Sequence, residues 1–196
     1  METHAPTLYS EEKNAPAMPN DFPSGSTVIY GLQGKCTVKS IENRMIDGKQ
    51  VSFYKLEVQK SAFCRSTRQE PAIWVPLNQA KENGLRAPIQ ATETDGIFKI
   101  LDNREYYFQV NEPWANIQPK LEATIRNEGC AGLAKVASYL YVLKRKQIIP
   151  SPAVARMIET VNKLLLRELS DCLGQPIRNL EARMSKSLRH KLLPDN

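Results

Sequence analysis

The residues best able to do chemistry are few and lie far apart in the sequence. The chain has 4 cysteines and 2 histidines, and no two cysteines form a CxxC pair. The cysteines are Cys36, Cys64, Cys130 and Cys172, and the histidines are His4 and His190. Structural zinc sites and disulfide-rich domains both need closer, repeated spacing. We therefore predict no metal, no cofactor and reduced thiols, as is typical of a cytoplasmic protein.

The sequence also lacks the motifs of the common enzyme classes. It has no P-loop, no GxSxG nucleophile motif and no HExxH zinc motif. The glycines of "YGLQGK" (residues 30–35) are not followed by the Lys-Ser/Thr pair that a phosphate-binding loop requires. We therefore predict that the protein is not an enzyme and that it acts by binding.

Positive charge is the most informative chemical feature, and it is unevenly placed. The formal net charge is +6, of which residues 113–196 contribute +7 and residues 1–112 contribute −1. In the basic part, Arg156, Lys163 and Arg167 are spaced seven and four residues apart, so a helix would place them along one edge. Such a row can follow a phosphate backbone. A solvated helix surface is the alternative interpretation.

The tryptophans are further candidates for a binding role, and Trp114 allows two interpretations. Its spacing with Ile117, Leu121 and Ile125 would place it in the core of one helix. However, Pro119 inside that helix would cost about 3 kcal/mol. A helix that begins near Pro119 leaves Trp114 in the preceding turn, where the indole can wedge against a nucleobase. The spacing does not decide between the two.

Residues 22–80 have the pattern of a small β domain. Alternating apolar and polar runs cover residues 26–31, 35–46, 50–58 and 71–76. Asp47-Gly48, between the second and third runs, predicts a type I′ hairpin, because that turn needs a positive φ at both central residues. Short, highly twisted strands favour a Tudor-like or SH3-like β-barrel. Such barrels bind other molecules through their edges and loops.

Two residues of this domain are candidate contacts. Because successive side chains of a strand alternate in direction, Ile73 and Val75 point away from Trp74. Either they fill the core and Trp74 is an exposed contact surface, or Trp74 is the core residue. Arg44, at the end of the second strand, is either a solvated charge or an anchor for an acidic partner.

The helical part of the chain has clear start and stop signals. One helix covers residues 130–146 and ends in the basic cluster Lys144-Arg145-Lys146, which favours the helix dipole. The next has Ser151 as N-cap, Pro152 at its first position and Gly174 just past its end. A last, more polar helix is predicted over roughly residues 176–192.

The fold class we predict is α+β. The β domain of residues 22–80 is followed by an all-helical domain of residues 113–174, and residues 81–112 connect them through a short helix. We predict a disordered tail for residues 1–21, which have no apolar core of a signal peptide. Residues 175–196 form a C-terminal helix or tail. No apolar run is long enough to span a bilayer.

Several stretches occur in a distinctive order. They include a G-x-x-V-x-Y-x-x-x-G opening, a V-P-x-x-x-A stretch after the fourth strand, and a K-V-A helix before the Ser-capped one. The full stretches are "FPSGSTVIYGLQGKCTVKSIENRMIDGKQVSFYKLEV", "WVPLNQAKENGLR", "GIFKILDN" and "LAKVASYLYVLKRKQIIPSPAVARMIETVNKLLLREL". In this order they resemble the CarD/CdnL family of bacterial transcription regulators, over residues 22–174.

This resemblance implies a function for each domain. The β domain would be Tudor-like and bind the β subunit of RNA polymerase. The helical domain would contact promoter DNA, largely independently of sequence, at the upstream edge of the transcription bubble and stabilise the open complex. A family tryptophan that wedges into the minor groove falls at Trp114. One polymerase-contacting arginine of the family falls at Arg44 and a second at Trp74, after an insertion at residues 61–70.

The candidate contacts follow from the charge pattern and the resemblance together. The residues predicted to contact RNA polymerase are Arg44 and Trp74. Those predicted to contact DNA are Trp114, Lys120, Arg126, Lys144, Arg145, Lys146, Arg156, Lys163 and Arg167. We expect a monomer in the bacterial cytoplasm, associated with the nucleoid through polymerase and not with a membrane. The alternative is a Tudor-like adaptor whose basic helical domain binds another protein or RNA.

Overall fold

The computed structural model describes residues 21–59, 71–109, 111–146 and 151–189. The described chain is α+β, with a five-stranded antiparallel sheet followed by four helices, which confirms the predicted class. The strands are β1 (Thr27–Tyr30), β2 (Gly34–Ile46), β3 (Lys49–Val58), β4 (Ile73–Pro76) and β5 (Leu85–Arg86). The helices are α1 (Thr94–Asp102), α2 (Trp114–Lys146), α3 (Pro152–Leu173) and α4 (Ile177–Arg189). The predictions for the N-terminal tail, the 61–70 insertion and the chain after residue 189 lie outside the described residues.

The sheet is open and has the strand order β4-β3-β2-β1-β5. The pairing of β2 with β3 shifts register between Val38 and Ser40, which marks a bulge that bends the long second strand. β5 pairs with β1 through Ile29 opposite Arg86. The sheet therefore continues past residue 80, where the β domain was expected to end.

The turn between β2 and β3 is the predicted hairpin. Asp47 has φ 50° and Gly48 has φ 74°, so both central residues lie in the left-handed region that a type I′ turn requires. Asp47 tolerates this conformation better than most residues, because its short polar side chain suits it.

One face of the sheet forms its own apolar core. The buried residues of this core are Val28, Cys36, Val38, Tyr54, Leu56, Val75, Ala80 and Leu85. Val75 is 1% exposed, and Ile73 packs against the same core. Trp74 therefore lies on the opposite face of β4, as the first of the two sequence interpretations predicts.

Helix α2 is two helical segments that meet at Gly129. This residue has φ 61° and ψ −125°, a conformation that glycine adopts far more easily than other residues. The backbones approach closely just after the break, since a Cβ on Gly132 would lie 2.4 Å from the carbonyl oxygen of Thr124. Residues 114–128 and 130–146 therefore fold back on each other and share one core with α1, α3 and α4.

Of the two interpretations of Trp114, the structure shows the single helix that contains Pro119. α2 begins at Trp114, where the Pro113 carbonyl accepts a hydrogen bond from the Asn116 N–H at 3.0 Å. Pro119 lies inside the helix and cannot donate to the carbonyl of Ala115. Both residues are exposed, so water can solvate that carbonyl. Burial of the apolar stripe that starts at Trp114 outweighs the cost of the proline.

The later helices agree closely with the sequence signals. Ser151 caps α3 by accepting from the Val154 N–H at 3.4 Å, and Pro152 is the first helical residue. Gly174, with φ 63°, ends the helix in the left-handed conformation. α4 packs against both α1 and α3. Among the described helices, none is both long and apolar enough to cross a membrane.

Ion pairs hold the sheet against α3. Arg86 of β5 donates to both carboxylate oxygens of Glu168, from Nη1 at 2.6 Å and from Nη2 at 2.7 Å. The Glu168 side chain is 5% exposed, and it also accepts from the Ile89 N–H at 3.1 Å. Nearer the solvent, Lys35 of β2 pairs with Asp171 at 2.9 Å. These contacts fix which faces of the sheet and of α3 oppose each other.

Candidate protein and nucleic-acid interfaces

The outer face of the sheet brings Arg44 and Trp74 together, although they lie 30 residues apart in sequence. The Arg44 guanidinium lies over the indole, with Cζ 3.4 Å from the ring centroid. A cation over an aromatic face at this distance is attracted by the ring quadrupole. Trp74 is half-buried and Arg44 stays exposed, so the pair forms a ready-made cationic and aromatic surface.

Two further charges surround this pair. Lys55 stands directly opposite Trp74 in the β3–β4 register, with Nζ 5.2 Å from the ring centroid. Lys55 also contacts Glu42 at 3.3 Å. Desolvation alone would raise the pKa of Glu42. Hydrogen bonds from Ser40 and Lys55 outweigh this effect, so the pKa of Glu42 is lowered. Glu42 therefore stays ionised and orients the lysine beside the indole.

Sequence reasoning missed two exposed apolar residues at the hairpin tip, of which Ile46 shares the face of Arg44 and Met45 points to the other face. Met45 is 69% exposed and Ile46 is 44% exposed, beside the hairpin turn that ends β2. Their position just before Asp47-Gly48 was the available signal, because residues at a hairpin tip extend beyond the core. Among the described residues β4 pairs with β3 alone, so its other edge can accept a further strand.

Trp114 lies at the first position of α2, half-buried against the helical core. Its indole Nε1 is buried and has no hydrogen-bond partner within the described residues. The hydroxyl of Tyr139 is likewise buried without a hydrogen-bond partner within the described residues. The ring of Tyr139 packs edge-on against Phe108. Burial, and then the charge of Glu112, raise the pKa of Tyr139. In this conformation Trp114 packs as a core residue, and it must turn outward to act as a wedge.

The basic end of α2 remains exposed. Lys144, Arg145 and Lys146 occupy the last turn, and Arg145 lies over the ring of Tyr141, with Cζ 5.6 Å from the centroid. Trp114 and Lys144 are each fifteen residues from the bend at Gly129, on the order of 22 Å along each helical segment. Arg86 of β5 lies at the bend, so Trp114 and Lys144 are at the ends of the two segments that are remote from this contact with the sheet.

The other predicted DNA contacts of α2 are placed differently. Lys120 pairs with Glu112 at 2.5 Å, and the Glu112 side chain is 15% exposed, so part of this positive charge is already neutralised. Arg126 is at the sheet end of α2, where its Cγ would lie 2.9 Å from a Cβ on Gly84. Neither residue continues the basic end formed by residues 144–146.

The three cations of α3 are brought together, but in another place. Arg156, Lys163 and Arg167 line a single groove between α3 and the first strands of the sheet. The spacing correctly indicated a shared edge of the helix. That the edge faces the sheet was not visible from spacing, because it depends on the Arg86–Glu168 contact between residues 82 positions apart.

Cysteine chemistry and metal binding find no support in the described residues. Within the parts of the chain that the structure describes, Cys36, Cys130 and Cys172 form no disulfide bond and no cluster of metal-binding side chains is present. Burial, more than the charge of Glu168, raises the pKa of the Cys130 thiol, so it stays protonated at neutral pH.

No protein-family model matches the sequence. A search of curated proteins also finds no match.

Proposed function

We propose that this protein is a non-catalytic transcription regulator. Its sheet, as a Tudor-like domain, binds the β subunit of RNA polymerase, and its helical part contacts promoter DNA at the upstream edge of the transcription bubble. Contacts made only to melted DNA stabilise the open complex, because a ligand shifts an equilibrium by its differential affinity for the two states. Association with polymerase would place the protein at the nucleoid.

The observation that carries the proposal is the stacked pair of Arg44 and Trp74. The resemblance assigns a polymerase contact to each position, and the fold places the two side chains on one exposed face. A tryptophan and an arginine together are typical of the residues that dominate binding energy in protein interfaces. Ile46, exposed on the same face of β2 as Arg44, adds apolar area to this surface. The edge of β4 that pairs with no other described strand adds backbone hydrogen-bonding groups.

The DNA side of the proposal is supported by the first and last turns of α2. The exposed cations of residues 144–146 can neutralise phosphates. The indole Nε1 of Trp114 has no acceptor among the described residues in the packed conformation, and an unmade buried hydrogen bond costs about 1–3 kcal/mol. Minor-groove base edges carry acceptors, so an indole that turns into the groove gains the hydrogen bond that it lacks in the core.

The experiment that tests this proposal is the open-complex lifetime on a promoter fragment with the cognate RNA polymerase. We expect the wild-type protein to lengthen the lifetime and Trp114→Ala to lose most of that effect while still binding polymerase. Trp74→Ala should instead weaken polymerase binding, by about tenfold for a contact worth roughly 1.4 kcal/mol. The two variants therefore separate the two interfaces.

A shared control and two contrary outcomes complete the test. Lys186→Gln removes an exposed cation from α4, a helix that contributes no residue to either surface, and should behave as wild type. Equal activity of Trp114→Ala and wild type would leave the indole as a core residue only. If the wild-type protein neither binds polymerase nor changes the lifetime, the adaptor alternative takes precedence.

A further inference from the structure

A groove of about 720 Å³ lies between the sheet and α3, outside both surfaces described above. Its volume falls within the range of about 300–1,000 Å³ that is usual for small-molecule sites. Its floor is apolar, with Leu32 from the turn after β1, Ile89 from the segment after β5, Leu133 from α2 and Leu164 from α3. Leu133 is 1% exposed, so the floor reaches the helical core.

The charges of this groove are not balanced. Lys35 and Asp171 line the groove and neutralise each other. Glu168 also lines it, and its charge is neutralised by Arg86, which does not line the groove. The remaining lining charges are three cations, Arg156, Lys163 and Arg167, and one carboxylate, Glu159. Within the described part of the chain, none of these three cations forms an ion pair with a carboxylate.

The shape of the groove is maintained by the fold. Gly34 is buried against α3, where an added Cβ would lie 2.5 Å from a methyl carbon of Leu164. The Arg86–Glu168 pair holds the C-terminal half of α3 against the sheet. The cations project from one helix, two turns and then one turn apart, so the groove and its charge are preorganised.

We propose that this groove binds a small amphipathic anion. Its phosphate or carboxylate group would contact Lys163 and Arg167, and its apolar or planar body would lie on Leu32, Ile89 and Leu164. The apolar floor favours such a molecule over a bare phosphate backbone, which presents no apolar surface to cover it. This site is independent of polymerase and promoter DNA, so it goes beyond the proposed function.

The test uses the full chain and the fluorescent probe 8-anilinonaphthalene-1-sulfonate, which has one anionic group and a planar apolar body. We expect stoichiometric binding to the folded protein with a micromolar Kd. Two variants address charge and shape separately. Lys163→Gln with Arg167→Gln removes the cations, and Thr160→Phe fills the groove while keeping them. Each should weaken probe binding by about tenfold or more, the first through lost charge-assisted contacts with the sulfonate and the second by excluding the planar apolar body.

The matched control is Lys186→Gln with Arg189→Gln, which removes two cations from α4 and should leave probe binding unchanged. Circular dichroism should show that all variants remain folded. Displacement by ATP or by dodecanoate then distinguishes a nucleotide from an acyl anion. Absence of probe binding, equal binding to all variants, or failure of both competitors would each overturn the proposal. None of these outcomes bears on the open-complex experiment.

Discussion

Gly129 shows how one residue determines the course of the chain. Its φ of 61° and ψ of −125° let α2 fold back, and a Cβ there would lie 2.5 Å from Nε of Arg86. We expect Gly129→Ala to lower the free energy of unfolding by at least about 2 kcal/mol, because it adds backbone strain and displaces a paired arginine. Urea unfolding followed by circular dichroism measures the change.

Gly96 provides the matched control for this substitution. It lies within α1, has no positive φ, and an added Cβ would meet nothing within 4 Å. Gly96→Ala should therefore stabilise the protein by about 0.5–1 kcal/mol, since alanine is the better helix former. If both alanines change stability in the same direction, the conformation of residue 129 is not the cause.

The relative orientation of side chains was predictable where strand alternation determines it. It was not predictable where packing between elements determines it. The two-residue period of a strand predicts that Trp74 points away from Ile73 and Val75 but not which side is buried, and the structure buries Val75. The partner of Trp74 does not follow, because its contact with Arg44 depends on strand pairing. Trp114 shows the reverse problem, since local proline chemistry favoured a later helix start and burial of the stripe overrode it.

The first turns of α2 lack one backbone hydrogen bond, because Pro119 has no N–H to donate to the Ala115 carbonyl. Pro119→Ala should restore the bond to the Ala115 carbonyl and stabilise the protein by about 2 kcal/mol, after allowing for the greater flexibility of the unfolded chain. Thermal unfolding measures this change. If Trp114 must turn outward to reach DNA, the same variant should also shorten the open-complex lifetime relative to wild type.

Pro152 is the control proline, since it occupies the first position of α3, where its fixed φ suits the helix and no donor is lost. Pro152→Ala should be slightly destabilising, by about 0.5 kcal/mol, through the unfolded chain. A stabilisation equal to that of Pro119→Ala would show that the location of the proline inside α2 is irrelevant.

Most elements of the fold could be predicted, because their signals are local. The Asp47-Gly48 turn, the Ser151 cap and Gly174 each act within a few residues of their own element. β5 escaped prediction because a two-residue strand has no periodicity to detect. The groove escaped because its walls come from distant parts of the chain and its charges were interpreted as one continuous DNA-binding row.

The relation between sheet and helices depends on the pair of Arg86 and Glu168. With the Glu168 side chain 5% exposed, loss of one partner leaves a buried charge uncompensated. Glu168→Gln should therefore lower the free energy of unfolding by about 3 kcal/mol, whereas replacing both residues by leucine should recover much of that loss. A double-mutant cycle by urea unfolding isolates the coupling between the two side chains.

Lys35 and Asp171 provide the comparison, because they join the same two elements with side chains 33% and 51% exposed. Asp171→Asn should cost less than about 1 kcal/mol, since solvent screens exposed pairs. Under the proposed function, Glu168→Gln should also shorten the open-complex lifetime more than Asp171→Asn does, because a loosened joint no longer holds the DNA-contacting helices at a fixed angle to the polymerase-bound sheet. Equal effects of the two substitutions on stability and lifetime would show that the buried pair does not set this orientation.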